Sequence, residues 1–243
     1  MRYRSIALIV LGITLSSSVA IVCAQPNHSL EWGISESEEF VYVLQRKLIL
    51  NPSESYFVES QLPFLALLDE GAKVIATVDG LESVPSQINT YEDIPIANVS
   101  LSRENDSMVI SSEIESFAVP TNDWTLLTEA SGFDAIEGQT LIDTQNEWGY
   151  VSTGTFSSAE TTVTFHIELR YEKENGTLNY IRLRYSAFGQ DLIDVIFVQW
   201  HTGMPTILPP EVQLSSIIIT VSLGIVCAVC AFLGFRWYRS KKP

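Results

Sequence analysis

Three histidines, His28, His166 and His201, are the only imidazoles in the chain, and they stand far apart in sequence. A hydrolytic zinc site needs ligands spaced to share one face, as in His-Glu-x-x-His, or cysteine partners for them. Neither pattern occurs. No Gly-x-Ser-x-Gly elbow presents a nucleophile, and no glycine-rich loop is built to cradle a phosphate. Acidic pairs and triplets stand at Glu36/Glu38/Glu39, Glu92/Asp93 and Glu104/Asp106. They lack the alternating ligands and central glycine of a calcium loop, so each reads as a solvated charged turn, with calcium binding as the alternative. No residue is therefore assigned a catalytic, cofactor-binding or metal-ligating role, and the chain is expected not to be an enzyme. His166 alternates onto one strand face with Glu168, with Arg184 as its expected neighbour, which is a surface ladder rather than a site.

The elements behind these residues are mostly extended. Val163, Phe165, Ile167, Leu169 and Tyr171 alternate with Thr162, Thr164, His166, Glu168 and Arg170, the period of a half-buried strand. Asn175-Gly176 then marks a hairpin. A three-residue loop, Glu174-Asn175-Gly176, pairs Leu169 with Ile181, Ile167 with Leu183 and Phe165 with Tyr185. It sets Glu168 opposite Arg182, with Gly176 left-handed; a two-residue loop would mix the faces. A further strand follows over Leu192–Trp200. Earlier ones are expected at Phe40–Leu50, Lys73–Val78, Ala97–Ser102, Met108–Ser112, Leu141–Thr144 and Gly149–Phe156. A helix capped by Asp123 runs from Trp124 to a stop at Gly132. A second short helix is expected around Leu62–Leu68, ended by Gly71. The fold class is α+β and β-dominated: curved antiparallel sheet or sheets with one or two short helices, plus an N-terminal signal helix and a C-terminal transmembrane helix.

The ends set the topology. Residues 212–235 carry no charge and are followed by Arg236, Trp237, Tyr238, Arg239, Lys241 and Lys242. A run of about 20 apolar residues spans a bilayer as a helix, and the basic flank marks the cytoplasmic side. At the other end, Arg2 and Arg4 precede an apolar run ending in Val22-Cys23-Ala24, a signal peptide cleavable after Ala24. An uncleaved signal anchor and a lipoprotein linked through Cys23 are the alternatives. The expected organisation is a signal peptide at 1–24, a β-rich extracellular domain at 25–201 and a Pro-containing stalk at 202–213. A transmembrane helix at 214–235 and a basic tail at 236–243 complete it. The protein is thus expected in the cell membrane, single-pass, with its C-terminus cytoplasmic.

All 29 acidic residues but only eight of the 14 basic ones fall within 25–211, a formal charge of −21 there. That surface disfavours nucleic acid and anionic lipid headgroups as partners. Cys23 lies in the signal segment, and Cys227 and Cys230 lie within the anchor. The projecting domain holds no cysteine, so its core must stabilise it without disulfides. Four sequons, at Asn27, Asn98, Asn105 and Asn175, fall in the segment assigned outside and are candidate glycosylation sites. Asn51-Pro-Ser53 is excluded by its proline.

Trp32-Gly33 followed by Glu39-Phe40-Val41-Tyr42, then Pro120-Thr-Asn-Asp-Trp124-Thr-Leu-Leu127, Trp148-Gly149 and Tyr171-Glu-Lys-Glu-Asn-Gly176-Thr-Leu178 form a pattern. It resembles a group of uncharacterised, signal-peptide-bearing, C-terminally membrane-anchored surface proteins of Asgard-type archaea. The chain departs from them at Ser37-Glu38, where Gly-Asp is usual. The resemblance implies a secreted β-rich domain on an anchor and carries no activity, cofactor or site residue with it.

Trp32, Trp124, Trp148 and Trp200, with many Tyr and Phe, exceed what a thin sheet needs for cover. Either they fill the core of a disulfide-free domain, or a curved sheet closed by a helix holds an apolar ligand, as lipoprotein carriers do. The first expectation for function is a displayed interaction module binding another envelope protein or a glycan. The second is a carrier or sensor for a hydrophobic small molecule or lipid. The two differ in whether an aromatic-lined cavity stays open.

Overall fold

A computed structural model describes residues 27–51, 58, 62–132, 136–158 and 161–209. The chain divides into two compact units, Met1–Thr206 and Ile207–Pro243; only residues 207–209 of the second are described. The expected signal peptide at 1–24, transmembrane helix at 214–235 and basic tail at 236–243 lie outside the described residues. Among the described residues no helix is long and apolar enough to cross a membrane.

The first unit is built on one antiparallel sheet of nine strands. In chain order they are β1 (Glu39–Ile49), β2 (Lys73–Leu81), β3 (Ala97–Arg103), β4 (Val109–Ile114), β5 (Gln139–Asp143), β6 (Glu147–Ser158), β7 (Thr161–Glu172), β8 (Leu178–Ala187) and β9 (Gln190–Gln199). Their spatial order is β4-β3-β2-β1-β9-β8-β7-β6-β5. Two meanders, one from each half of the domain, therefore meet where β1 pairs with β9, Tyr42 opposite Gln199 and Ile49 opposite Ile193. The two seam strands are buried on both faces, Val43 and Leu44 on β1 and Val195 and Ile196 on β9 alike. This explains why Leu192–Val198 reads as an almost continuous apolar run rather than an alternation. A bulge between Leu44 and Arg46 shifts the β1 register.

The β7–β8 hairpin has the expected register: Leu169 opposite Ile181, Ile167 opposite Leu183, Phe165 opposite Tyr185 and Glu168 opposite Arg182. Gly176 is left-handed, at φ 77°. The loop itself is longer than expected. β7 runs on to Glu172, whose N–H donates to Thr177 O at 2.8 Å while Gly176 N–H donates back to Glu172 O at 2.8 Å. Four residues, Lys173–Gly176, thus form the loop. The register shifts between the pairs Arg170–Tyr180 and Tyr171–Leu178, so that Asn179 on β8 is the bulged residue that absorbs the difference; a bulge sets two residues of one strand against one of its partner.

Helix α1 (Trp124–Ser131) starts and stops as its sequence signals predict. Asp123 Oδ1 accepts from Leu126 N–H at 3.1 Å, and Gly132 closes the helix at φ 64°. The segment expected as a helix around Leu62–Leu68 is instead a five-residue 3-10 turn, Pro63–Leu67, and Leu68 is already extended. Gly71 does not end it; at φ 84° it lies in the turn leading into β2. A contact from outside finishes the turn: the Lys47 ammonium donates to Leu65 O at 2.8 Å and Leu68 O at 2.6 Å, the cation-at-C-terminus arrangement that satisfies open carbonyls.

The core is aromatic at the seam. Tyr42 stacks on Phe197 with centroids 5.3 Å apart. Phe117 meets Tyr42 edge-on at 5.2 Å, and Phe64 meets Phe197 at 5.5 Å. These spacings fall in the range where ring quadrupoles attract. The opposite face of the seam carries charge: Asp194 accepts from Arg46 Nη1 at 2.9 Å and from Arg182 Nε at 2.9 Å and Nη2 at 3.1 Å.

Candidate functional site

Edge strand β4 and strands β6 and β7 are far apart in pairing order, yet they line one cleft of about 680 Å³. The sheet therefore curls until one edge faces the inner surface of the opposite half. Trp148, Tyr150, Leu169 and Tyr171 form the floor, and Phe64 and Leu127 close one wall. The cleft opens to solvent beside Tyr91, which is 66% exposed. It lies beyond the filled seam cluster, so the aromatic residues split between two duties: Tyr42, Phe117 and Phe197 pack solidly, while Trp148, Tyr150 and Tyr171 border open space.

Local chemistry fixes the floor. Trp148 Nε1 donates to Thr128 Oγ1 at 2.9 Å, and Thr128 Oγ1 donates to Trp124 O at 2.9 Å. One threonine thus ties α1 to the indole. Trp124 packs on Trp148 at 5.6 Å, and Trp148 on Tyr171 at 6.0 Å. Tyr171 Oη donates to Ser116 O at 3.1 Å. Burial pushes the Tyr171 phenol well above the usual tyrosine range, with Tyr150 and Tyr91 adding to it. Tyr150 is raised in the same way, by burial and then by Tyr91. Three phenols therefore share one locality.

Among the described residues the other two tryptophans, Trp32 and Trp200, are elsewhere. Trp32 Nε1 donates to Glu82 O at 2.7 Å. Trp200 Nε1 donates to Met204 O at 3.1 Å, with the Lys73 ammonium 3.3 Å from its ring centroid. Gln45 Nε2 donates to Pro205 O at 2.6 Å, so the chain stays tied to the domain for several residues past β9.

The histidines remain apart. His28 Nδ1 accepts from Leu30 N–H at 3.2 Å, which leaves Nε2 to donate to Pro85 O at 2.9 Å. His166 lies 3.3 Å from Glu168 and opposite Arg184, the expected ladder. His201 is exposed, and its carbonyl accepts from Met204 N–H. Among the described residues no group of three or more His, Cys, Asp or Glu is placed to hold a metal ion. Several acids act as caps. Glu38 accepts from Ser35 N–H, and Asp106 pairs with Arg103 at 2.7 Å. Asp93 accepts from Asn89 and Thr90 N–H, and these bonds hold its carboxyl below the usual range.

Of the sequons, Asn27 and Asn105 are exposed, and Asn98 is half-buried on β3. Asn175 is engaged: its Oδ1 accepts from Thr177 N–H at 2.9 Å and Thr177 Oγ1 at 2.7 Å, and its Nδ2 donates to Glu172 at 3.3 Å. Sequence reasoning did not single out Tyr91, Tyr150, Glu113 or Glu115, all of which line the cleft. They come together only through the curl of the sheet. No family model, no curated protein and no solved structure matches the chain.

Proposed function

We propose that the folded domain is a non-enzymatic binding module, displayed at the outer face of a membrane by the anchor at 214–235, whose ligand is an apolar small molecule or lipid held in the cleft between β4 and β6. The cleft carries this reading. Its volume of about 680 Å³ falls within the span of roughly 300–1,000 Å³ typical of small-molecule sites, and its floor is aromatic and aliphatic. On that ground we favour a hydrophobic carrier or sensor over a module for another envelope protein or a glycan, which would use a flatter face. Display outside the cell rests on the uncharged run at 212–235 with its basic flank, the signal-like N-terminus, and the resemblance at Trp32-Gly33 and Pro120–Leu127.

The test uses the full chain in lipid nanodiscs and a neutral environment-sensitive dye, N-phenyl-1-naphthylamine. Fluorescence above that of empty discs should saturate at one dye per chain. Ser131→Trp, which places a large ring at the cleft wall on α1, should remove the excess. Dye uptake equal to empty discs, or uptake unaffected by Ser131→Trp, would reject the cleft as the site.

A further inference from the structure

We infer that one end of the domain dips into the bilayer that the anchor at 214–235 enters, with Phe188 as the inserted side chain; the inference rests on the anchor reading above. β1 and β9 are antiparallel, so the last residues of β1 and the β8–β9 turn lie at one end of the sheet. Large apolar side chains stand open there: Phe188 is 88% exposed, and Leu48, Leu50 and Leu67 are exposed with it. Leu50 N–H donates to Leu192 O just past the β8–β9 turn, and Leu67 belongs to the 3-10 turn that Lys47 holds. Two charges beside them are engaged, Lys47 with the carbonyls of Leu65 and Leu68 and Asp191 with Arg184. The turn itself has no need of phenylalanine. Ala187 pairs with Gln190, so Phe188-Gly189 is a two-residue loop, with both residues left-handed at φ 52° and 75°. Asparagine or aspartate before glycine suits such a loop best. The opposite end of the same strands is acidic: Glu36, Glu38 and Glu39 at the start of β1 and Glu174 in the β7–β8 loop are exposed. At a bilayer the apolar end gains by leaving water, and the carboxylates keep the other end in it.

The course of the chain after β9 selects the bilayer as what meets this end. β9 itself runs toward the acidic end, and its 10 residues separate the two ends by about 33 Å. The chain then turns back. Trp200 N–H donates to Val41 O at 2.7 Å, and Met204 N–H closes a turn on His201 O at 3.0 Å. Pro205 O accepts from Gln45 Nε2 at 2.6 Å. From Val41 to Gln45 is a step along β1 toward its apolar end. Residues 206–213 can extend about 28 Å, more than the roughly 17 Å of strand from Gln45 to Leu50. An anchor that begins at Leu214 thus has the reach to enter lipid at the level of Leu50 and Phe188. A few apolar side chains bind a membrane only weakly by themselves; a covalent anchor holds them at high local concentration, and the two together suffice. A second copy or a protein partner has no such tether to this end.

The experiment puts a nitroxide on single cysteines of the full chain in phosphatidylcholine nanodiscs. It compares collisions with oxygen, which concentrates in lipid, and with a nickel chelate, which stays in water. The sites are Phe188→Cys, Leu50→Cys and Glu174→Cys, each with Cys23, Cys227 and Cys230 replaced by Ala, and a chain that keeps Cys227 alone. The ratio of oxygen to nickel collisions should be several-fold higher at 188 and 50 than at 174, which should read as a hydrated site. Phe188→Asn should shift the label at 50 toward water while the melting temperature holds or rises, which separates lost docking from lost folding. Nickel access at 188 equal to that at 174 overturns the inference, as does a label at 50 that ignores Phe188→Asn. A label at 188 shielded from both reagents overturns it too, in favour of a second copy or a protein partner. In each of these cases a label at Cys227 that meets oxygen and not nickel leaves the anchor reading standing. Nickel access at Cys227 overturns both.

Discussion

Arg46 on β1 and Asp194 on β9 meet at 2.9 Å across the seam that joins the two meanders, with side chains only 9% and 3% exposed. Arg182 on β8 grips the same carboxylate through two nitrogens. One acid therefore links three adjacent strands on a face with little water to compensate for its loss. Removing one partner of a buried pair costs about 3 kcal/mol or more, because the remaining charges stay desolvated. Asp194→Ala should lower the stability of the domain by about that amount in urea titrations. Asp191→Ala, whose partner Arg184 is 31% exposed, should cost under about 1 kcal/mol.

Gly176 is constrained twice. It is left-handed, and a Cβ there would lie 2.0 Å from Val119 O. Because the clash begins at Cβ, Gly176→Ala should destabilise nearly as much as Gly176→Val, by about 3 kcal/mol or more. Gly189, at φ 75° with nothing within 4 Å of a Cβ, serves as the contrast. Gly189→Ala should cost only the left-handed penalty of about 1–2 kcal/mol. Thermal unfolding of the three variants side by side checks the ordering.

Alkaline pH should unfold the domain through its tyrosines. Burial raises the phenols of Tyr42 and Tyr171 far above their usual value, and each donates to a backbone carbonyl, Leu178 O and Ser116 O. A raised folded value keeps its full contribution below the unfolded value, about 10 for tyrosine, and loses it as pH rises beyond that. Two such groups should lower stability by about 2.7 kcal/mol per pH unit in that range. Phenolate absorbance should show these rings titrating only with unfolding. Tyr171→Phe should make the slope shallower.

Asn175 should behave as a turn residue before it behaves as an acceptor of sugar. Its amide and the Thr177 hydroxyl satisfy each other and Thr177 N–H. Peptide mapping of the protein from a glycosylating host should find sugar at the exposed Asn27 and Asn105 and none at Asn175. Asn175→Ala should cost about 1 kcal/mol from the lost side-chain bonds.

Local signals in the sequence were read well. The alternation of Val163–Tyr171 set the hairpin register, and Asp123 and Gly132 bounded α1, because side-chain period and capping act within a few residues. The 3-10 turn at Pro63–Leu67 was misread as a helix because its ending depends on Lys47, which a window of neighbours does not contain. The four-residue hairpin loop is not legible from a count of faces, because the bulge at Asn179 takes one residue of β8 out of the alternation. The cleft was invisible for a stronger reason. Phe64, Glu113 and Tyr171 converge only after nine strands have paired and curled, and the left-handed backbone of Glu113 has no signature in its neighbours Ser112 and Ile114.

The β1–β9 seam also governs the order in which the domain can form. Translation delivers β1 about 150 residues before its partner β9, and at roughly 5–20 residues per second that is a wait of about 10–30 seconds. During that interval Val41 and Val43 line a strand with one side unpaired, a template for wrong pairing between nascent chains. Long-range closure of this kind slows folding, because loop entropy is lost before contacts compensate for it. Shortening the chain by its last strand would then yield no smaller domain; it would leave two unjoined meanders, each with an open apolar edge at what had been the centre of the sheet.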